Sequence, residues 1–221
     1  MASKLNRNRV IIRSLLHIMG SVVMAFGIAI VIRVDIGVAP GSVVPYSMSL
    51  LLPMTVGMCS ALFQVFCMIM QLVLTKSFSP KLLLQLPLAY VFGFLLDAFL
   101  LLLGFEITSV PYRILLTIAG LFIFSFGIRV IVGANLIIMP TDGLAQSMGK
   151  KLGWPMSKGK LLFDIIVTAV GIVLMLAFTG NAFLSVNIGT VICAIGTGPI
   201  IGLFTKLFPS LDVSIEETKS T

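Results

Sequence analysis

The residues of this sequence that could do chemistry are a few charged and amide side chains inside long apolar stretches. They form two groups along the chain: Arg33, Asp35 and Asp97 in the first, and Arg129, Asn135, Asp142 and Asp164 in the second. Charges buried in a membrane are costly, and they usually face a partner or a water-filled cavity. Each group holds one Arg and two carboxylates. The sequence therefore predicts that Arg33 pairs with Asp97, and that Arg129 pairs with Asp164 or Asp142.

Two interpretations of these groups stay open at this point. In the first, they are polar vestibules or gates around a central solute site. In the second, they are ion pairs that fix helix packing, or charges that extend to the membrane interface. Arg33 and Asp35 are near enough to a helix end for the second interpretation, whereas Asp97, Arg129 and Asp164 are deeper.

Other chemistries find no support in the sequence. His17 is the only histidine, and the three cysteines (Cys59, Cys67 and Cys193) lie in apolar runs without metal-ligand spacing. There is no phosphate-binding loop, no Gly-rich dinucleotide turn and no nucleophile–base set. The sequence thus predicts no metal, no cofactor and no enzymatic activity.

The elements that must position these residues are membrane-spanning helices. The chain has 221 residues, of which 58% are hydrophobic and only 10% are charged, whereas soluble domains are about 25% charged. A helix needs about 20 apolar residues to cross the hydrocarbon core. Six stretches qualify, and they predict an all-α membrane protein with spans at 13–34, 57–75, 82–104, 113–134, 157–179 and 185–207.

Two further apolar stretches are too short to cross a membrane. They run from Pro40 to Pro53 and from Pro140 to Trp154, and each begins at a proline followed by small or polar residues. We expect each to be a half-helix or re-entrant segment. The alternative is an amphipathic helix that lies in the membrane interface.

The distribution of positive charge predicts the orientation. With the N-terminus in the cytoplasm and six crossings, cytoplasmic segments hold 12 of the 15 Lys and Arg residues, as the positive-inside rule requires. The count includes Lys158 and Lys160, at the start of the fifth span. Both termini are then cytoplasmic, and the net charge of +7 reflects topology and contact with lipid headgroups, not nucleic acid.

The chain also contains an internal repeat at an offset of 100 residues. Nine identities occur among the 28 positions from 13 to 40, including Gly20/Gly120, the Phe-Gly-Ile at 26–28 and 126–128, and Pro40/Pro140. More weakly, the segment Gly93-Phe-Leu-Leu-Asp97 resembles Gly198-Pro-Ile-Ile-Gly202. We predict a basic tail (1–12), a first membrane repeat (13–104), a second (113–208) and a C-terminal tail (209–221). Three spans per repeat is an odd number, so the repeats are predicted to be inverted, which is a recurrent plan among transporters.

Several of these motifs resemble those of the bacterial YczE/YyaS/YitT group of integral membrane proteins. They are the Asp35-Ile-Gly-Val-Ala-Pro40-Gly41 segment, the Pro140-Thr-Asp142-Gly143 segment and the Gly93-x-x-x-Asp97 pattern. The YitT branch carries an extra soluble domain, so the resemblance is to the YczE-like branch. It covers about residues 13–208 and implies a bacterial plasma-membrane location. It brings no catalytic set to this chain.

The sequence therefore predicts a secondary transporter or channel for a small solute. The candidate pathway residues are the two groups above together with Pro40 and Pro140, and the carboxylates of Asp97 and Asp164 are the candidates for proton or cation coupling. The alternative is a non-transporting membrane protein that supports or regulates a partner assembly. The predicted partners are the lipid bilayer and a small solute. A second copy of the chain and a partner membrane protein both stay open.

Overall fold

We analysed a computed structural model of the chain, which describes residues 2–76, 80–104 and 107–211. In these ranges the chain is helical and contains no strand. The α-helices are α1 (Ala2–Val34), α2 (Val43–Leu51), α3 (Val56–Thr75), α4 (Pro80–Leu83), α5 (Gln85–Leu102), α6 (Val110–Ala134), α7 (Pro140–Lys151), α8 (Met156–Thr179) and α9 (Ile188–Leu207).

Six of these helices are long and apolar enough to cross a membrane: α1 from Val10 onward, α3, α5, α6, α8 and α9. They correspond to the six predicted spans and identify a multi-pass membrane protein. α1 begins at Ala2, within the residues predicted as the basic tail (1–12). No Gly or Pro lies between Ala2 and Gly20 to interrupt the helix. Most of the predicted C-terminal tail, residues 212–221, lies outside the described residues.

The two short stretches are short helices at equivalent places. α1 and α6 are followed by Asp35 and Asn135, which both have left-handed backbone conformations, with φ of 57° and 46°. A single 3-10 turn at Pro40–Ser42 then runs into α2, and α7 begins at Pro140. At about 1.5 Å per residue, neither α2 nor α7 is longer than about 18 Å, so neither can cross a bilayer.

The centre of the molecule is a close antiparallel contact between α1 and α6, made through glycines. A Cβ atom at Gly27 would overlap the backbone of Phe124 and the carbonyl oxygen of Gly120. A Cβ atom at Gly127 would overlap the backbone of Met24 and the carbonyl oxygen of Gly20. The second set of residues is the first set moved by 100 positions, so the contact is reciprocal. Small residues allow such close approach of membrane helices.

The remaining helices pack around this pair in matching positions. α5 packs on α1 and α9 on α6, while α2 contacts both α3 and α8, and α7 contacts both α3 and α8. One match is missing. α3 and α5 pack closely, but α8 and α9, their counterparts in the second half, make no comparable contact.

Candidate functional site

A small cavity of about 90 Å³ lies where the two halves meet. Its wall includes residues of α1, α3, α5, α6, α7, α8 and α9 and the start of the α2 segment. The polar part of the wall consists of Ser42, Ser60, Gln64, Thr141, Asp142, Lys160, Asp164 and Thr197, and the apolar part includes Phe63, Phe92 and Phe124. Because both halves line it, this cavity is the candidate site.

Three charged side chains meet in the cavity wall, and we call them the charged triad. Lys160 Nζ lies 3.1 Å from Asp142 Oδ1 and 3.2 Å from Asp164 Oδ1. Lys160 and Asp164 are four residues apart on α8, so they share one helix face, and Asp142 comes from the first turn of α7. The three side chains are between a fifth and a third exposed. With all three ionised, the triad carries a net charge of −1.

The two short helices both direct their N-termini toward this cavity. Pro40, Gly41 and Ser42 line it from the first half, and Thr141 and Asp142 line it from the second. A Cβ atom at Gly41 would lie 3.8 Å from Lys160 Nζ and 3.9 Å from Asp164 Oδ1. The start of one short helix therefore faces the charged triad, to which the other contributes Asp142. Helix N-termini carry a partial positive charge.

Helix α3 adds an uncharged acceptor to the wall. Gln64 is only 4% exposed, and its Oε1 atom has no hydrogen-bond partner. A buried amide oxygen without a partner is unfavourable by about 1 to 3 kcal/mol. The cavity thus contains an acceptor that a bound molecule could satisfy.

Two depressions lie at opposite ends of the molecule, and their linings are related by the same offset of 100. One, of about 510 Å³, lies at the end that carries Lys76, Lys150, Lys151 and Lys206, which we call the basic end. The other, of about 650 Å³, lies at the opposite end. The related lining residues are Ile32/Val132, Asp35/Asn135, Tyr46/Gln146, Leu50/Lys150 and Val56/Met156.

Of the two end depressions, as lined by the described residues, only the one at the basic end shares lining residues with the central cavity. It shares Met139 and Asp142 with the cavity wall, whereas the opposite depression shares no lining residue with it. The carboxylate of Asp142 therefore stands between the cavity and the basic end.

The structure separates the predicted first group of residues. Arg33 and Asp35 are exposed and line the depression opposite the basic end. There, Arg113 Nη1 donates a hydrogen bond of 3.2 Å to the backbone carbonyl of Asp35. Pro40 is buried in the cavity wall. Asn135, of the second group, is exposed and lines the depression at the basic end.

The predicted pairing of Arg33 with Asp97 is wrong. Asp97 accepts a hydrogen bond of 2.6 Å from Thr55 Oγ1 and one of 2.7 Å from the backbone N–H of Gly57. These donors belong to the start of α3, where backbone N–H groups lack helical partners. The close approach of α5 to α3 places Asp97 beside them, away from the cavity wall.

The predicted pairing of Arg129 with Asp164 or Asp142 is also wrong, because both carboxylates form ion pairs with Lys160. Arg129 is 1% exposed, and its Nη2 donates a hydrogen bond of 3.0 Å to the carbonyl of Phe208. Sequence reasoning assigned Lys160 to the cytoplasmic side and so missed the central cation of the site. The signal was present in the spacing of Lys160 and Asp164 on one apolar helix.

Comparison with known proteins places the chain in a family without assigning an activity. No curated protein and no solved structure matches it. Residues 11–206, nearly the whole membrane region, match the model of a family of unknown function, DUF6198. This match neither confirms nor contradicts the resemblance to the YczE-like branch. The chain belongs to the DUF6198 family.

Proposed function

We propose that this protein is a secondary transporter or channel for a small solute in the bacterial plasma membrane. The observation that carries the proposal is the central cavity. It is small and partly polar, both short helices line it, and it adjoins a depression at one end of the molecule only. Transporters typically bind their substrates near the bilayer midplane, where two repeats meet and helices are broken.

The proposal includes an inverted repeat with two re-entrant short helices. Its support is the α1–α6 contact, in which residues related by the offset of 100 touch reciprocally and antiparallel. A two-fold axis between antiparallel membrane helices lies in the plane of the membrane. The same axis relates α2 to α7 and the linings of the two end depressions.

The proposal also assigns the basic end to the cytoplasm. Its support is the clustering of Lys76, Lys150, Lys151 and Lys206 at that end, which the positive-inside rule favours. The structure then corresponds to a cytoplasm-facing state of alternating access. The outward-facing state would arise by the same movement in the other repeat.

Within this mechanism Asp164 is the candidate for proton or cation coupling. It lies in the charged triad and lines the cavity. Asp97, the other carboxylate considered from the sequence, holds α3 to α5 through Thr55 and Gly57 instead. We therefore assign Asp97 to the packing of the first half.

A two-stage experiment tests this function. A thermal-shift screen of the purified protein against small metabolites and ions selects ligands, since binding to the folded state raises its apparent stability. Uptake of each ligand is then measured in proteoliposomes that contain wild-type protein or Asp164→Asn. We expect saturable uptake by the wild type and loss of uptake in the variant. Unchanged uptake in Asp164→Asn would overturn the coupling assignment, and no uptake of any binding ligand would overturn transport.

A second candidate function is support of a partner assembly, in which a partner takes the place of lipid on part of the surface. The faces of α8 and α9 carry exposed apolar side chains such as Leu161, Ile195 and Leu203. A partner membrane protein or a second copy of the chain would cover some of this surface. Under this function the protein would take up no solute, and Asp97→Asn would lower expression without changing any flux.

A further inference from the structure

We infer that the central cavity binds a compact organic cation, a small molecule with an ammonium group. This inference rests on the proposed function and names its substrate class. It depends on the charge of the cavity, on a free acceptor, on aromatic walls and on size.

The charge of the cavity favours a cation. Two carboxylates, Asp142 and Asp164, share one ammonium group, that of Lys160. One negative charge is therefore left over among the ionised groups of the wall. An uncompensated charge in a partly buried site is unfavourable, and a bound cation would neutralise it.

The helix N-termini at Pro40 and Pro140 act in the opposite direction, but more weakly. A helix end has the effect of about half a charge, and its influence falls off within one turn. Asp142 lies in the first turn of α7, where its negative charge already compensates the partial positive charge of that N-terminus. The full negative charge of Asp164 therefore makes the cavity prefer a cation to an anion.

The wall provides the other groups that recognise ammonium ions. Gln64 offers a buried Oε1 atom without a hydrogen-bond partner. Phe63, Phe92 and Phe124 line the cavity, and aromatic faces attract cations. Lys160 illustrates the chemistry, since its Nζ atom lies between two carboxylates and 5.3 Å from the centre of the Phe163 ring.

The size of the cavity limits the ligand. A volume of about 90 Å³, at roughly 10 to 15 Å³ for each water-sized position, holds a molecule of roughly six to nine non-hydrogen atoms. Choline falls in this range. It has a neutral counterpart of the same shape, 3,3-dimethylbutan-1-ol, and an anionic one, 3,3-dimethylbutanoate. These three compounds separate charge from shape.

The test is a thermal-shift titration of the full chain in detergent with each of the three probes at constant ionic strength. We expect choline alone to raise the melting temperature. Asp164→Asn removes the excess negative charge and should weaken choline binding at least tenfold. The matched control is Asp97→Asn, which changes a carboxylate outside the cavity wall and should leave choline affinity unchanged.

Gln64→Leu provides a second variant if Asp164→Asn does not fold. It keeps every charge and removes the acceptor to which the hydroxyl of choline would donate, since the quaternary nitrogen carries no N–H. We therefore expect choline affinity to fall roughly tenfold. Stabilisation by the neutral or anionic probe that equals or exceeds that by choline would overturn the inference. Failure of choline to stabilise the wild type at any concentration would also overturn it. If choline does not bind but a different solute is taken up in proteoliposomes, the proposed function remains intact. If choline binds but no ligand is taken up, only transport is overturned.

Discussion

The two end depressions have equivalent linings but different relations to the central cavity. At the basic end, Met139 and Asp142 belong to both the depression and the cavity. At the opposite end, the depression beside Asp35 and Arg33 shares no lining residue with the cavity. A repeated sequence has thus produced two similar depressions, of which one shares lining residues with the cavity. This asymmetry is what an alternating-access cycle requires of any single state.

The helix pairs α3–α5 and α8–α9 also differ between the two halves. In the first half, Gly57 and Gly93 bring α3 and α5 into contact, and Asp97 is hydrogen-bonded across it. In the second half, a Cβ atom at Gly198 would meet nothing within 4 Å. We call α3 and α5 the closed helix pair and α8 and α9 the open helix pair. Mutations should affect these two pairs differently.

The largest expected effect is at the closed helix pair. A Cβ atom at Gly93 would lie 2.5 Å from the carbonyl oxygen of Gly57 and 3.3 Å from the Cβ of Ala61. Because backbone cannot move away as a flexible side chain can, we expect Gly93→Ala to lower the free energy of unfolding by about 3 kcal/mol. The measurement is the melting temperature of the purified protein in detergent. The matched variant Gly198→Ala should leave it unchanged, and equal losses in the two variants would contradict the difference between the halves.

Replacement of the partly buried Asp97 and Asp164 by alanine should lower the free energy of unfolding by different amounts. Asp97→Ala removes two hydrogen bonds to a charged acceptor, so we expect a loss of about 2 to 3 kcal/mol. Asp164→Ala relieves an excess of negative charge in the triad and should cost less than about 1 kcal/mol. Chemical or thermal unfolding of both variants checks this order. A larger loss for Asp164→Ala would place the structural carboxylate in the second half instead.

The sequence predicted the framework of this molecule better than its contacts. Local composition predicts the span lengths and the Pro-marked short segments. Comparison of the sequence with itself reveals the offset of 100. The partners of charged residues depend on how helices rotate and approach, which composition does not encode. Thus Arg33, Asp97 and Arg129 were paired incorrectly. Lys160 was assigned to the cytoplasmic side because it stands only a few residues from the start of α8.

The smallest expected effect is at the start of the first short helix. A methyl group at Gly41 would make ordinary van der Waals contact with Lys160 and Asp164 and would fit without strain. We expect Gly41→Ala to leave the free energy of unfolding within about 0.5 kcal/mol of wild type. It should nevertheless narrow the cavity and reduce uptake or ligand affinity a few-fold. Unchanged affinity for a ligand of the wild-type protein would show that the ligand binds elsewhere.

The most direct test of the account asks whether water reaches the central cavity from one side of the membrane. Thr197 lines the cavity from α9, whereas Ile195, two residues earlier, is 71% exposed on the outer surface of the same helix. Each is changed to Cys in a chain from which Cys59, Cys67 and Cys193 have been removed. A membrane-impermeant methanethiosulfonate that transfers a trimethylammonium-ethyl group, which is the size of choline, is added to inside-out and right-side-out vesicles. A thiol reacts as its thiolate, which forms in water and not in lipid. We predict that Thr197→Cys is labelled only from the cytoplasmic face and that Ile195→Cys is labelled from neither. Absence of labelling at Thr197→Cys from either face would mean a dry cavity and would contradict transport through it.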